Sequence, residues 1–414
     1  MYGMNGKLLV VDLARKKAET KAVREATLKK YRGIDALAKK YLKNDDIVIM
    51  TGPMTGLLGP CANRYGVYCG RGVKAPNGTL AGFFGPELKL CGFDGIVISG
   101  KAEKPLYITV QDGAVKFRSA AALAGKSVDA RTAALAGQFP VKCGVLTIGK
   151  AAEEGCKFAA VIGDRLYSGP AGSGAAFAAK NLAGIVANGS GKLEAADPDK
   201  YWDLAMAARK KAAQSKFAIA LGSADARVSL AAAGELQARP LAGYRNLERR
   251  VDRDAALPVS VERRRGCYSC AIGCRKLYRV ERGAYKGLYE SPAPELADVF
   301  EDECLVKNTG ALLKAYELCR NNGMDPAECA AYAGKIIRKA RKAGDAKAML
   351  EAVRKAVSEG KRTKPAAAYG YDFAAVRNKE SNAFAADLGM CPFAAVSLSA
   401  SEIKALAAAA LGKE

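Results

Sequence analysis

Hydrophobic patterning changes once along this chain of 414 residues, and that change limits the folds open to it. In the first half, short β-branched runs at 7–13, 46–51, 95–100, 106–110, 143–148 and 158–162 are bounded by Gly, Asp or Lys, the pattern of strands. Gln111-Asp112-Gly113 reads as a hairpin turn, because Asp-Gly supplies the positive φ such turns need. Helical pieces interrupt the strands at 27–42 and 127–135. From 198 onward the period lengthens. Residues 198–215 place apolar side chains on one face and Lys or Arg on the other. Asp325-Pro326-Ala327-Glu328 has a capping Asp, a Pro at the first helical position and a Glu that completes a capping box. That helix is expected to run to about Gly344, with further helices at 346–358 and 401–411. The expectation is an α+β protein with a β-rich domain at 1–195 and a helical region at 196–414, divided within the Gly- and Asp-rich stretch 188–199.

Composition narrows the chemistry. The sequence holds no His, so acid–base work falls to Glu, Asp, Lys, Tyr or Cys. It holds 12 Cys, and its start lacks the charged segment and cleavage site of a secretory signal. A reducing, cytoplasmic setting is expected, with thiols as ligands or core residues rather than disulfides. No run of about 18 apolar residues suggests a membrane span. The net charge of +23 attracts anions in general. The basic runs at 335–347 and 361–364 come with few aromatics and no nucleic-acid reader motif. They read as solvated helix faces or as a dock for an acidic electron carrier.

The densest chemical signal is Gly266-Cys267-Tyr268-Ser269-Cys270-Ala271-Ile272-Gly273-Cys274. Three thiols in one tight Gly-containing loop suit an iron–sulfur cluster, whose fourth ligand can be remote. Cys391, flanked by Gly389 and Pro392, is the candidate. A zinc site is the competing reading, although zinc more often takes two paired knuckles. Buried free thiols are the other, and they are the reading for the remaining eight Cys. Arg263, Arg264 and Arg265 precede the first ligand, where positive charge would raise a cluster's potential or simply form a solvated loop.

Ordered motifs carry a resemblance. The opening MYGMNGKLLVVDL, Thr51-Gly52-Pro53-Met54-Thr55-Gly56, Phe83-Phe84-Gly85-Pro86-Glu87-Leu88-Lys89 with Gly92-Phe93-Asp94, Gly100-Lys101-Ala102-Glu103-Lys104-Pro105, Lys180-Asn181-Leu182 and the cysteine loop follow one another. In that order they resemble the tungsten- or molybdenum-dependent aldehyde ferredoxin oxidoreductases. The match covers most of 1–330 and resumes at 388–393. It implies a double-sheet base followed by a shortened all-helical region, with the missing part between 343 and 384. It also implies a 4Fe-4S cluster on Cys267, Cys270, Cys274 and Cys391. Ferredoxin or another acidic carrier would be the partner, in a homo-oligomer or a larger redox complex.

The resemblance further implies a metal bis-pterin, with Arg64 bridging cluster and pterin and Glu290 close to the metal as the catalytic residue. Thr79 stands where the family has Asn. Gly82 and the Gly-rich turn with Gly172 and Gly174 would approach the cofactor's phosphates. Two pterin motifs of the form Asp-x-x-Gly-Leu-(Cys/Asp) align with Arg320-Asn321-Asn322-Gly323-Met324-Asp325 and Ala386-Asp387-Leu388-Gly389-Met390-Cys391. Gly323, Met324, Gly389 and Met390 keep the pattern. Arg320 and Ala386 replace the Asp that hydrogen-bonds a pterin ring, and Asp387 comes one residue late. The family's catalytic His is absent. Two functions follow from the resemblance: oxidation of an aldehyde or oxo-group donor with electrons passed to ferredoxin, or a non-catalytic electron-transfer subunit that keeps the cluster alone.

Overall fold

The computed structural model describes residues 2–70, 75–215, 259–292, 299–361, 384–395 and 397–412. The segment 362–383, within the stretch where a shortening is expected, lies outside them, as do the basic residues 362–364.

The first half forms two six-stranded sheets. One contains β1 (Lys7–Asp12), β2 (Lys17–Ala22), β3 (Ile47–Thr51), β4 (Tyr65–Cys69), β5 (Asn77–Leu80) and β6 (Gly95–Ser99), in the order β2-β1-β6-β3-β4-β5. The other contains β7 (Leu106–Gln111), β8 (Ala114–Ser119), β9 (Gly144–Thr147), β10 (Ile162–Gly163), β11 (Tyr167–Ser168) and β12 (Leu182–Asn188), in the order β11-β10-β9-β12-β7-β8. Each sheet has one parallel pair, β1 with β6 and β12 with β7.

Period-2 alternation separates the layers. Leu9, Val11, Ile47, Ile49, Ile96 and Ile98 enter a central core shared with Ile108, Val110, Leu146 and Ile185 of the second sheet. The opposite side of the first sheet, with Leu8, Val48 and Met50, is covered by Leu28, Ile34, Leu37 and Ala38. These belong to two helices, Glu25–Lys30 and Ile34–Tyr41, rather than one continuous helix. Gly33 breaks them at φ 93°, where an added Cβ would collide with the Asp387 carboxylate. The Asp112-Gly113 turn forms between β7 and β8, with both residues at positive φ. The expected strand at 158–162 reduces to Ile162–Gly163.

The later region is mainly helical. Val299–Cys304, Thr309–Asn322, Pro326–Lys339 and Ala346–Glu359 extend the central core. Pro198–Gln214 and Ala400–Leu411 pack on each other around Met54, Leu57, Leu388 and Met390. The Pro326 helix starts as expected, Asp325 accepting from the Glu328 N–H at 2.9 Å, but ends at Lys339. This half also carries an antiparallel sheet of β13 (Val259–Arg265), β14 (Arg275–Val280) and β15 (Tyr289–Glu290). The cysteine loop is the connection between β13 and β14. Among the described residues no helix is long and apolar enough to cross a membrane.

Candidate functional site

Strand pairing brings Arg265 opposite Arg275, so the loop 266–274 must close over a short span. Ser269 at φ 51° and Gly273 at φ 61° make the reversals. The N–H groups of Ile272 and Gly273 then both point at Cys270 Sγ, at 3.3 and 3.2 Å. The loop is fastened to the base domain. Tyr268 donates its N–H to Gly82 O at 3.2 Å and its O–H to Gly56 O at 2.8 Å. Asn63 Nδ2 donates to Tyr268 O at 3.0 Å, and Arg209 donates to Ser269 O at 2.8 Å. Gly82 sits at φ 121°, and any side chain there would strike Asp164.

Cys391 reaches this loop through an intermediary that local spacing did not reveal. The Cys61 N–H donates to Ser269 O at 3.1 Å, and the Cys61 carbonyl accepts from Cys391 N–H at 2.9 Å. One residue thus splices the loop to the segment 384–391. The neighbouring bridge Ala62–Met390 and the bond from Arg64 N–H to Gly389 O, 2.9 Å, complete the splice. The Cys61 thiol is itself fully buried and hydrogen-bonded to Cys270. Its only signal in the sequence was its place three residues before Arg64.

The thiols interact electrically. The Cys61 hydrogen bond and the two loop N–H groups bring Cys270 down to about 6 against burial. Burial, then the neighbouring Cys270 and Cys391, pushes Cys267 up to about 12, while the Tyr167 hydroxyl 2.9 Å from its sulfur pulls the other way. Burial raises Cys391, and the Arg64 guanidinium opposes that rise. Cys274 acts on the same Tyr167 phenol that touches Cys267. Among the described residues, no group of three or more Cys, Asp or Glu side chains is drawn in tightly enough to hold one metal ion. A cluster asks for something different: four thiolates spread around a larger core, each on its own iron, with donors aimed at sulfur. Toward that requirement, Cys267, Cys270 and Cys391 lie near enough to act on one another, and donors reach the sulfurs of Cys267 and Cys270.

The pterin-side residues behave otherwise. Glu290 is 2% exposed, and Arg320 holds both its oxygens, Nε to Oε1 at 2.9 Å and Nη2 to Oε2 at 3.0 Å. The same guanidinium holds both oxygens of Asp129, at 2.8 and 3.0 Å, and Arg165 O at 3.2 Å. Burial would lower the Arg320 pKa, but Asp129 and Glu290 outweigh it and raise it. Burial likewise works against the Asp129 carboxylate, and Arg320 overrides it and holds the pKa down.

The Gly323, Met324 and Asp325 N–H groups donate to Arg320 O, Cys319 O and Phe158 O. In the second motif, Met390 N–H goes to Ala385 O, and Asp387 turns away to accept the Asp35 N–H at 2.9 Å, at the start of the Ile34–Tyr41 helix. Ala386 lines a cleft of about 410 Å³ together with Tyr68, Thr79, Phe384 and the carboxylate residues Asp35 and Asp387. Arg64 Nη1 donates to Thr79 Oγ1 at 3.3 Å, while its buried Nε has no partner among the described residues. Gly172 and Gly174 both donate to Ala159 O, at 3.0 and 2.9 Å, so the Gly-rich turn engages the 159–161 backbone. The aligned Asp is thus replaced at both motif positions, by a paired Arg320 in the first and by Ala386, next to Asp387, in the second.

Beside the cysteine loop opens a cleft of about 390 Å³ lined by Lys142, Arg165, Arg263, Arg264, Arg265 and Tyr167. Its carboxylate, Asp164, is engaged by the N–H groups of Phe83, Phe84 and Val145.

Comparison with known proteins follows the same division. Residues 8–189 match the aldehyde ferredoxin oxidoreductase N-terminal domain, and residues 204–412 match domains 2 and 3 of that family. The chain is 28% identical over 355 residues to the tungsten-containing aldehyde ferredoxin oxidoreductase of Pyrococcus furiosus, covering 78% of this chain and 57% of that protein. The enzyme of the same name from Thermococcus kodakarensis is 29% identical over 353 residues, with coverage of 78% and 57%. The aliphatic sulfonate oxidoreductase, WOR-like subunit, of Pyrococcus furiosus is 28% identical over 350 residues, with coverage of 74% and 55%. The fold is similar to a chain of the active site complex BamBC of benzoyl coenzyme A reductase, solved with 1,5-dienoyl-CoA. The TM-score is 0.65 at 18% identity, covering 82% of this chain and 56% of that one. The chain thus spans 57% of the first curated relative's length. With both family domains matched across most of its length, the chain belongs to the aldehyde ferredoxin oxidoreductase family.

Proposed function

We propose that this protein is an electron-carrying oxidoreductase that holds one 4Fe-4S cluster on Cys267, Cys270, Cys274 and Cys391 and exchanges single electrons with ferredoxin or another acidic carrier in the cytoplasm. The observation that carries this reading is the splice at Cys61, whose backbone ties the three-cysteine loop to Cys391. When bound, a cluster supplies one-electron storage. The chain's part is to tune and shield it. Ile272 and Gly273 N–H groups and the Tyr167 hydroxyl donate toward sulfur, which favours the more negative, reduced state. Arg64 adds positive charge beside Cys391. The basic cleft next to Cys267 suits an acidic partner.

A second reading is oxidation of an aldehyde or oxo-group donor at a tungsten or molybdenum bis-pterin, and the names of the relatives favour it. That chemistry needs a free carboxylate at Glu290 and acceptors for the pterin rings. The Arg320 clamp and Ala386 favour the electron-transfer reading, with a larger redox complex supplying the substrate site.

Iron analysis after anaerobic purification tests the proposal. About four iron per chain and a reducible cluster signal are expected, with both lost in Cys391→Ser. Zinc alone, or iron unaffected by that substitution, defeats it.

A further inference from the structure

We infer that Arg320 is a side-chain replacement for the cofactor: it closes the first pterin position and performs the bridging task between the helical region and the base domain. The inference deepens the electron-transfer reading and rests on it only in calling the protein a cluster carrier.

The argument begins with donors and acceptors. A pterin ring presents an amino group and ring N–H along one edge, and these need acceptors. A guanidinium has five N–H donors and no acceptor. Replacing Asp by Arg at this position therefore turns an attraction into an opposition of donors. Nor is the guanidinium waiting for a ligand. Its Nε, Nη1 and Nη2 are all engaged, by Glu290, Asp129 and Arg165 O. The backbone N–H groups of Gly323, Met324 and Asp325 are engaged as well.

Arg320 and its two carboxylate partners come from three separate parts of the fold. Arg320 lies in the last turn of the helix Thr309–Asn322. Asp129 lies in the first turn of the base-domain helix Val128–Ala136. Glu290 lies on β15, which pairs with β14 and so belongs to the sheet carrying the cysteine loop. Asn321 adds a parallel link, its Oδ1 accepting the Asp129 N–H at 3.3 Å. The guanidinium fork bonds both oxygens of two carboxylates at once, four bonds where the Lys ammonium has only three donors. One residue therefore ties the helical region, the base domain and the cysteine sheet together through its own side chain.

The test uses the full chain produced in a host that makes the bis-pterin cofactor, with tungstate or molybdate supplied. The wild-type protein is expected to carry less than about one-tenth of a tungsten or molybdenum per chain, and to release no fluorescent pterin on denaturation. Close to one such metal per chain with released pterin overturns the inference. A stability cycle decides the bridging role separately. Arg320→Met is expected to lower the melting temperature more than the double variant Arg320→Met with Glu290→Met, because the single change strands a buried carboxylate. Arg320→Lys keeps the charge and is expected to fall between wild type and Arg320→Met. Equal melting temperatures for wild type, Arg320→Lys and Arg320→Met refute the bridge. Absence of iron would defeat the cluster reading alone, since the pterin assay and the stability cycle still decide the role of Arg320.

Discussion

Asp164 shows how much one buried carboxylate organises. Its oxygens accept the N–H groups of Phe83 at 2.6 Å, Phe84 at 3.2 Å and Val145 at 2.9 Å. It thereby joins the start of the helix Phe84–Leu90 to β9. Burial raises its pKa from 3.8 to about 6, and the three N–H bonds keep it from rising further. The folded form therefore takes up a proton before the unfolded chain does. By linkage, this group makes the protein more stable as pH falls from about 6 toward 4, and adds no slope above about 6. Asp164→Asn places an amide donor against backbone donors. It should cost about 1–3 kcal/mol at neutral pH and remove that acid-side gain. Urea titrations of both proteins across this range measure it, and identical pH slopes would reject the assignment.

Cys61 makes a second residue-scale case. Its backbone performs the splice, while its thiol bonds to Cys270 and also feels Cys391 and the Ala271 backbone. Cys61→Ala should keep the full iron content and Cys391→Ser should lose it. If both lose iron equally, Cys61 is a ligand.

At the scale of elements, the turn before Cys391 carries a tight steric demand. Gly389 has φ 99°, and a Cβ there would lie 2.2 Å from Thr55 Oγ1 and 3.0 Å from its N. The strain of a side chain in such a conformation is about 1–3 kcal/mol before any clash. Gly389→Ala should therefore loosen Cys391 and lower iron retention while far-UV circular dichroism stays unchanged. Unchanged iron would show that the splice at Cys61 holds without this turn.

Elements also show what could be read from the sequence. The Asp112-Gly113 hairpin and the Asp325 cap were legible because each is determined within four residues. The break at Gly33 was not, because its cause is Asp387, more than three hundred positions away. The cysteine loop was legible as spacing, but the sheet that presents it was not, since Arg-rich β13 shows no clean alternation. Arg320 was visible as a substitution. Its pairing with Asp129 depends on two helices meeting, which no local pattern encodes.

At the scale of the molecule, a charge of +23 has to be located before it means anything. Exposed charges more than about 8 Å apart are screened at physiological salt, so distant Lys and Arg add little to docking. The five cations lining the cleft at Gly266 are different, because they sit together beside Cys267. Through-space attraction reaches them from carboxylates, Asp164 and Glu87 acting on Lys142 and Glu290 on Arg265. Burial and the neighbouring Arg263, Arg320 and Arg165 already depress the Arg265 pKa, a sign of crowding that an acidic partner would relieve. Electron exchange with an acidic ferredoxin should therefore slow as salt rises. Arg263→Glu combined with Arg264→Glu should reduce the rate about tenfold or more and flatten the salt dependence. Reduction by the methyl viologen radical cation, which gives up one electron to become the dication, should not fall, since a small cation gains nothing from a basic cleft. If the double reversal leaves both the ferredoxin rate and its salt slope intact, the carrier docks elsewhere, and the basic face at 335–347 becomes the surface to reverse next.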